Sequence, residues 1–171
     1  YARVRQIGSG GMGVVYEGVQ PVIGKRVAVK VLQGQIALDP DQMRRFLDEA
    51  RTVNAIGHRG IVDIFTFGVL ADGRQYFVME LLSGQDLSAR LSRQGRMDPA
   101  GVVMLVSQAA RALATAHDEG IVHRDLKPGN IFLHRDRDAE IVKVVDFGVA
   151  KALRGGGALG EATMPGTVLG T

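Results

Sequence analysis

The residues best equipped for chemistry lie in one short stretch, residues 123–130, with the sequence HRDLKPGN. Phosphoryl transfer requires such a set: Asp125 to orient a hydroxyl and take its proton, Lys127 near the moving phosphate, and Asn130 on a metal ion. The alternative is a solvated charged turn that follows a helix. That alternative loses weight because Asp146, followed by Phe-Gly, comes after a short predicted hairpin, and a carboxylate there can bind Mg²⁺.

A glycine-rich segment near the start of the chain suits the same chemistry. Gly8, Gly10 and Gly13 have the spacing G-x-G-x-x-G, which lets backbone amides approach phosphate oxygens without a Cβ in the way. Dinucleotide-binding turns share this spacing, but they need a helix directly after the glycines. Residues 14–19, VVYEGV, have the composition of a strand instead. The glycines therefore favour a hairpin over a nucleotide, with a flexible surface hairpin as the alternative.

Lys30 lies within an apolar strand pattern, where an ammonium without an anionic partner is costly to bury. Glu49, on the flank of a predicted helix, is a candidate partner, although it could pair with Arg45 four residues earlier. A Lys30–Glu49 pair would fix the ammonium where it can hold the α- and β-phosphates of a nucleotide. For Lys30 alone, a side chain that reaches solvent at a strand edge is the simpler alternative.

Composition narrows the class of protein. The chain has 171 residues, 46% of them hydrophobic, and no cysteine, which excludes disulfides and thiolate metal sites. The formal charge of +3 suits an anionic small ligand but is too small to argue for nucleic acid. The sequence has neither an apolar run of membrane-spanning length nor a signal peptide, so we expect a cytoplasmic location, with any membrane tether outside these residues. Because the chain begins with Tyr1, we expect a fragment.

Residue patterns predict the elements that carry these groups. Strands are predicted within residues 1–32 (three strands), 61–69, 75–81, 131–133 and 141–145. Helices are predicted over residues 39–57, 86–94 and 98–120, two of them opened by Asp-Pro and all three closed by glycine. The longest helix is apolar on most sides, which predicts that it is buried. The glycine-rich residues after Gly148 are typical of a loop.

Together these motifs resemble the front part of a eukaryotic-type serine/threonine protein kinase, and the bacterial members most of all. The resemblance rests on G-x-G-x-x-G-x-V, V-A-V-K, F-L-D-E-A, V-M-E, H-R-D-L-K-P-G-N and D-F-G, which span essentially the whole chain. It implies an α+β, bilobal fold: an antiparallel five-stranded N-lobe with one helix over residues 1–82, and a truncated helical C-lobe over residues 83–171. It also implies an enzyme that transfers the γ-phosphoryl group of ATP to protein Ser/Thr hydroxyls, with Mg²⁺ or Mn²⁺ and ATP between the lobes.

The resemblance also implies a role for each motif position. The catalytic residues would be Asp125, Lys127, Lys30 and Glu49, and the metal ligands Asn130 and Asp146. Met79 would be the gatekeeper, Glu80 and Leu82 would offer backbone groups to the adenine edge, and Asp86 would reach the ribose. Val15, Ala28 and Phe132 would enclose the adenine. The remaining nucleotide contacts would be Ile7, Gly8, Gly10, Gly13 and Lys30. Val53, Ile64, His123 and Phe147 would stack into a spine that holds the active arrangement.

Arg124 beside Asp125 resembles the kinases that are regulated by phosphorylation of the activation loop, where the phosphate pairs with the arginine. Thr163 and Thr167 are the candidate acceptors, including for self-phosphorylation; the alternative is that they are merely polar loop residues. The expected partners are ATP and proteins with Ser/Thr, with no nucleic acid and no membrane segment. Two alternatives stay open: an inert kinase-like fragment or pseudokinase that binds nucleotide or protein, and a small-molecule kinase of related fold.

Overall fold

The computed structural model describes residues 1–10, 13–32, 48 and 51–147, and leaves the side chains of residues 3 and 4 undescribed. Within these residues the chain forms two antiparallel sheets, a five-stranded one with the order β1-β2-β3-β5-β4 and a three-stranded one with the order β6-β7-β8. The strands are β1 Ala2–Gly10, β2 Gly13–Val19, β3 Arg26–Leu32, β4 Ile64–Val69, β5 Gln75–Glu80, β6 Gly84–Asp86, β7 Ile131–Asp136 and β8 Ala139–Val144. The five-stranded antiparallel sheet is the one that the family resemblance implies.

The glycine-rich segment joins β1 and β2 as a hairpin. Gly10 faces Gly13 across the two strands, and Gly8 faces Val15. Gly13 has φ 156° and lies so close to β3 that a Cβ added to it would be 2.2 Å from the carbonyl oxygen of Val31. Because a strand and not a helix follows the glycines, the predicted hairpin is confirmed and the dinucleotide turn is wrong. That the hairpin lies over a nucleotide stays a prediction.

Strand β4 begins at a later residue than the sequence predicts. Residue 48 and residues 51–56 are the described part of a helix, α1, which ends before Gly57, where φ is 59°. The strand predicted from residue 61 begins at Ile64, because Ile61 instead forms a parallel bridge with Val144 of β8. Ile61 and Val62, 3% and 4% exposed, are therefore apolar because they pack beside β8, not because they extend β4.

Two further helices begin and end where the sequence predicts. Helix α2, Leu87–Gln94, is capped by Asp86, whose side chain accepts a hydrogen bond from the Ala89 amide at 2.8 Å. Helix α3, Pro99–Asp118, is capped in the same way by Asp98, which accepts from the Gly101 amide at 2.9 Å. Aspartate before Pro or a short apolar run supplies the acceptor that the first amides of a helix lack. A 3₁₀ turn, Pro128–Asn130, precedes β7.

The prediction that α3 is buried on most sides is wrong. Its buried residues are Leu105, Ala109, Ala112 and Ala116, which lie at helical spacing along one face. Val102, Val103, Met104 and Val106 are 40%, 64%, 67% and 55% exposed. An apolar pattern on most sides could not show which faces are covered, because that depends on packing partners and not on the helix itself.

The core that supports the site lies between α3, β8 and the segment before β4. One cluster consists of Val53, Ile61, Ala112, Ala116, Ile121, Val144 and Phe147, and a second contains Leu105, Ala109, Leu133 and Val142. Alanines in α3 allow the helix to approach β8 closely, so the end of β8 is held firmly. Among the helices that the structure describes, none combines the length and apolar character needed to cross a membrane.

Candidate active site

Lys30 and Asp146 lie 116 positions apart in the sequence and are in direct contact in the fold. Lys30 Nζ donates to both carboxylate oxygens of Asp146, at 2.6 Å to Oδ1 and 2.5 Å to Oδ2. The two side chains are 8% and 16% exposed, so water screens the pair weakly. Each charge compensates the other, which removes the cost of burying either one alone. The contact joins the strand lysine to the carboxylate of the D-F-G motif.

The five-stranded sheet fixes the position of Lys30. The residue lies inside β3, in register with Val15 of β2 and with Phe77 of β5. Directly paired residues project from the same face of a sheet, so all three side chains lie on one side. Lys30 Nζ is 5.9 Å from the centroid of the Phe77 ring, which is itself 1% exposed. The apolar stem of Lys30 is therefore held by its neighbours, and its ammonium is directed at Asp146.

Asp146 is held by its neighbours in the chain. It has φ 63°, a left-handed conformation that aspartate tolerates better than most residues. The amide of Val145 donates to the carbonyl oxygen of Asn130 at 3.0 Å. The carbonyl oxygen of Val145 is 2.9 Å from His123 Nε2. These bonds fix the backbone just before Asp146 against the predicted catalytic stretch.

His123 connects the two predicted catalytic motifs. Its Nδ1 accepts a hydrogen bond from the Asp125 amide at 3.3 Å, so the ring proton belongs on Nε2, which donates to Val145. The ring also packs edge-on against Phe147, with centroids 4.7 Å apart. Val53 and Phe147 belong to one core cluster, and Ile64 lies half-buried in β4. Three members of the predicted spine, Val53, His123 and Phe147, are thus linked through Phe147.

Asp125, Lys127 and Asn130 form a compact polar cluster. Lys127 Nζ is 2.9 Å from Asp125 Oδ2, and Asn130 Nδ2 donates to the same oxygen at 3.1 Å and to the Asp125 carbonyl oxygen at 2.7 Å. Asp125 and Asn130 are 8% and 6% exposed, whereas the Lys127 side chain is 42% exposed. The carboxylate is therefore oriented by two donors, and the lysine that touches it reaches solvent.

The donor set beside this cluster suits a hard divalent cation. Mg²⁺ prefers carboxylate and amide oxygens, which Asp146 and Asn130 supply. The side-chain nitrogen of Asn130 donates hydrogen bonds to Asp125, so its side-chain oxygen is the candidate ligand for a metal ion. The backbone bond between Asn130 and Val145 places the two predicted ligands in adjacent segments. Lys30 contacts both Asp146 oxygens, so a metal ion at Asp146 would share or displace that ammonium.

The residues predicted to contact the adenine lie around one face of the five-stranded sheet and on β7. Ala28, 4% exposed, is paired with Met79, so both side chains share the face that carries Lys30. The amide of Glu80 donates to the carbonyl oxygen of Asp63 at 2.9 Å. A contact between Glu80 and an adenine would therefore have to use its carbonyl group. Leu82, two residues on, is half-buried.

Asp86 and Phe132 are brought together in the three-stranded sheet, where they form a register pair. One carboxylate oxygen of Asp86 caps α2, so a contact with a ribose would use the other oxygen. Ile7 is 40% exposed on β1, beside the glycine hairpin. The roles of these residues toward a nucleotide stay predictions.

Several sequence predictions fall outside the described residues. Glu49, Gly148, Thr163 and Thr167 are among these, so the Lys30–Glu49 pair stays a prediction. Sequence reasoning missed Lys143, which is 7% exposed in β8. The signal was present, because Lys143 stands within the apolar run IVKVV just as Lys30 stands within VAVKV.

Comparison with known proteins assigns the family. The family model described as "Protein kinase domain" matches residues 1–169. The chain belongs to the protein kinase family. This confirms the resemblance that the motifs indicate, and it accounts for the order in which the glycine hairpin, Lys30, Asp125 and Asp146 occur.

Individual relatives agree with this assignment. The chain is 48% identical to the serine/threonine-protein kinase Pkn1 of Myxococcus xanthus, and the match covers 98% of this chain and 23% of Pkn1. It is 41% identical to the serine/threonine-protein kinase PknA of Mycobacterium tuberculosis, and this match covers 100% of this chain and 39% of PknA. It therefore spans less than half the length of either relative. The crystal structure of the M. tuberculosis PknI kinase domain is similar, with a TM-score of 0.72 at 30% identity, over 86% of this chain and 59% of that one.

Proposed function

We propose that this chain carries the nucleotide site and catalytic loop of an ATP-dependent protein kinase that phosphorylates Ser and Thr hydroxyls. The observation that carries this proposal is the Lys30–Asp146 contact, tied through Val145 to the Asp125–Lys127–Asn130 cluster. Two carboxylates, two ammonium groups and an amide are thereby gathered from distant parts of the chain. This set suits a polyphosphate and a metal ion on one side and an attacking hydroxyl on the other. Residues 1–82 and 83–171 would be the N-lobe and the first part of the C-lobe.

The proposed reaction is an in-line transfer. The substrate hydroxyl oxygen attacks the γ-phosphorus of ATP, the new O–P bond forms, the bond from the γ-phosphorus to the β–γ bridging oxygen breaks, and ADP leaves. Asp125, oriented by Lys127 and Asn130, accepts the hydroxyl proton. Lys127 offsets the charge on the moving phosphoryl group. Bound Mg²⁺ would neutralise phosphate charge, and Asn130 and Asp146 would hold it.

Lys30 would change partners during this cycle. In the structure its ammonium is bonded to Asp146. With nucleotide bound, we propose that Lys30 contacts the α- and β-phosphates, with Glu49 as its carboxylate partner, while Asp146 turns to the metal ion. The present pair keeps both charges compensated until the nucleotide arrives.

Regulation by phosphorylation is part of the proposal. Arg124 is exposed, has φ 64° and adjoins the catalytic Asp125. A phosphate on Thr163 or Thr167 would pair with its guanidinium group and order the loop. Mass mapping of the protein after incubation with ATP would identify which threonine is modified.

The test of the catalytic assignment is Asp125→Asn in the longest available form of the protein. We expect transfer of labelled phosphate from ATP to a protein substrate to fall by about a thousandfold or more, because the amide cannot accept the proton. ADP binding, measured by calorimetry, is expected to stay within about twofold of the parent, since Asp125 is assigned to the hydroxyl and not to the nucleotide.

A matched control is Asp136→Asn, the same change at the exposed end of β7. It is expected to leave both phosphate transfer and ADP binding unchanged. Transfer by Asp125→Asn at the parental rate would overturn the assignment. If the parent itself binds ADP but transfers no phosphate, the inert binding module replaces the kinase as the better proposal.

A further inference from the structure

Lys143 is a buried ammonium for which the proposed chemistry has no use. It lies in β8 and is 7% exposed, and its Nζ donates to Glu80 Oε2 at 2.6 Å and to the Ile61 carbonyl oxygen at 3.2 Å. The side chains of Lys143 and Glu80 are 9% and 26% exposed. A lysine is costly to keep in such a place unless it is compensated, and here one carboxylate and one carbonyl compensate it.

The three groups belong to three segments that meet where the two sheets join. Glu80 ends β5 of the large sheet, Ile61 precedes β4, and Lys143 lies in β8 of the small sheet. Backbone bonds surround the same point. Val144 donates to the Gly60 carbonyl oxygen at 2.7 Å and accepts from the Val62 amide at 3.2 Å.

The Glu80 carboxylate points away from the proposed nucleotide face. Met79 is paired with Ala28 and shares the face of Lys30, and successive residues of a strand alternate between faces. The side chain of Glu80 therefore lies on the opposite face, where it meets Lys143. Its contact with Lys143 is distinct from the backbone contact proposed for Glu80 with an adenine.

Lys143 also stands three positions before Asp146 in the chain. The distance between Lys30 and Asp146 depends on how the large sheet, which holds Lys30, is set against the small sheet, whose last strand leads to Asp146. Hydrogen bonds from one ammonium to both Glu80 and Ile61 fix that setting. On the large-sheet side they act at Glu80, and on the small-sheet side at Lys143. Ile61 belongs to the segment that leads into β4 and is itself bridged to Val144 of β8.

We propose that Lys143 is a positioning residue, which clamps β8 to Glu80 and Ile61 and so holds Asp146 at the distance from Lys30 that nucleotide binding requires. This inference rests on the proposed kinase function for its kinetic consequence. The clamp itself is a property of the chain without any ligand. A looser junction would let the two halves of the phosphate site move apart, so nucleotide affinity would fall before the transfer step does.

The test compares Lys143→Met, Glu80→Gln and the double variant with the parent. Methionine fills the space of the lysine stem without a charge, which avoids an empty cavity. We expect each single variant to raise the KM for ATP and the Kd for ADP by about tenfold, while kcat stays within about threefold of the parent. The double variant is expected to bind ATP and ADP no more weakly than Lys143→Met, because the effects of two residues in contact are not additive. Lys143→Arg is expected to recover part of the ADP affinity.

Lys25→Met, the same change at an exposed residue, is the control and should leave KM and Kd unchanged. A residue that matters for stability alone would lower the melting temperature of the nucleotide-free protein but leave the Kd for ADP of the folded fraction at the parental value. That outcome, or a rise in kcat on loss of the clamp, would overturn the inference. If the parent binds ADP without transferring phosphate, the kinase function fails, while the Kd and melting cycles still decide the clamp.

Discussion

At the level of single residues, the site depends on charges that are compensated by partners from far away in the sequence. Lys30 is bonded to Asp146 and Lys143 to Glu80, at separations of 116 and 63 positions. In both pairs the ammonium sits in an apolar strand and the carboxylate comes from another element. Removal of either partner would leave a poorly solvated charge, which costs more than the pair contributes. These pairs therefore specify how the strands meet.

In the glycine hairpin, Gly13 is required by the packing of the strands, whereas Gly10 is not. A Cβ on Gly13 would lie 2.2 Å from the Val31 carbonyl oxygen, whereas a Cβ on Gly10 would meet no atom within 4 Å. We expect Gly13→Ala to cost more than about 1 kcal/mol of folding free energy, and Gly10→Ala less than about 0.5 kcal/mol. Gly10→Ala should still raise the KM for ATP, because its Cβ would stand where a phosphate approaches.

Denaturant unfolding and ATP kinetics of the two variants check this prediction. Gly73→Ala, in the exposed β4–β5 turn with φ 83°, is a control for the backbone strain of alanine away from the site. A Gly13→Ala variant as stable as the parent would contradict the close approach of β2 to β3. Unchanged ATP kinetics in Gly10→Ala would remove that glycine from the phosphate contacts.

How much of the site could be predicted depends on how local each contact is. Asp125, Lys127 and Asn130 lie within six positions, so their residue types and spacing were enough to predict a joint role. The partners of Lys30 and Lys143 could not be predicted from spacing, because a carboxylate many positions away becomes a neighbour only when the sheets form. The sequence contained the same apolar run around Lys143 as around Lys30, but without a motif the run did not indicate which acid would pair with it.

At the level of elements, residues next to each other in the chain predicted where helices begin and end, whereas strand pairing depended on tertiary packing. Helices α2 and α3 begin directly after their caps, Asp86 and Asp98, because capping needs only neighbouring amides. The start of β4 and the short strand β6 were not predicted, since Ile61 pairs with Val144 and Gly84 with His134. Such pairings join segments that are distant in the chain, and no periodicity within one segment reveals them.

A group of ion pairs that joins three strands predicts that the stability of the fold depends on pH. Glu17 in β2 is 4% exposed and accepts hydrogen bonds from Arg26 of β3 and from Arg5 of β1, so it links three adjacent strands. The hydrogen bond from Arg26, followed by that from Arg5, holds the pKa of Glu17 below its usual value, against the opposing effect of burial. A lowered folded-state pKa means that the stabilisation is complete above the unfolded value of about 4.3 and is lost as pH falls through the folded value.

We therefore expect Glu17→Gln to lower the melting temperature at pH 6 and to lower it much less at pH 3, where the parent has lost part of the same contribution. Thermal unfolding of the parent and the variant across this pH range measures the difference directly. Glu119→Gln, at the exposed residue that ends α3, is the matched control and should give a small difference at both pH values. A difference for Glu17→Gln that stays constant down to pH 3 would contradict the lowered pKa.

At the level of the whole molecule, the two sheets of the described residues meet at a junction that lies beside the candidate site. The bridge between Ile61 and Val144, the clamp by Lys143 and the packing of α3 against β8 all lie next to the segment that leads to Asp146. Lys30 enters from the other sheet. Stability of the junction and geometry of the site are thus coupled, so changes there should alter nucleotide affinity together with folding free energy.

The outer face of α3 predicts how the 171-residue chain behaves in solution. Val102, Val103 and Val106 project at helical spacing and are 40%, 64% and 55% exposed. Contiguous apolar side chains on a helix tend to be covered by another apolar surface. A second copy of the chain presents the same apolar face, so we expect the chain to self-associate through α3 as its concentration rises.

Val103→Gln combined with Val106→Gln should shift the chain toward the monomer, because glutamine keeps the helix propensity while removing the apolar contact. Sedimentation velocity over a range of concentrations measures the shift. The matched control is Val22→Gln with Ile23→Gln, which removes two side chains that are 83% and 71% exposed in the β2–β3 turn. If the control reduces association as strongly as the α3 variant, the contact lies on the turn and not on α3. If neither variant changes the sedimentation coefficient and the parent is monomeric at every concentration, the exposed valines of α3 do not mediate self-association and the prediction is wrong.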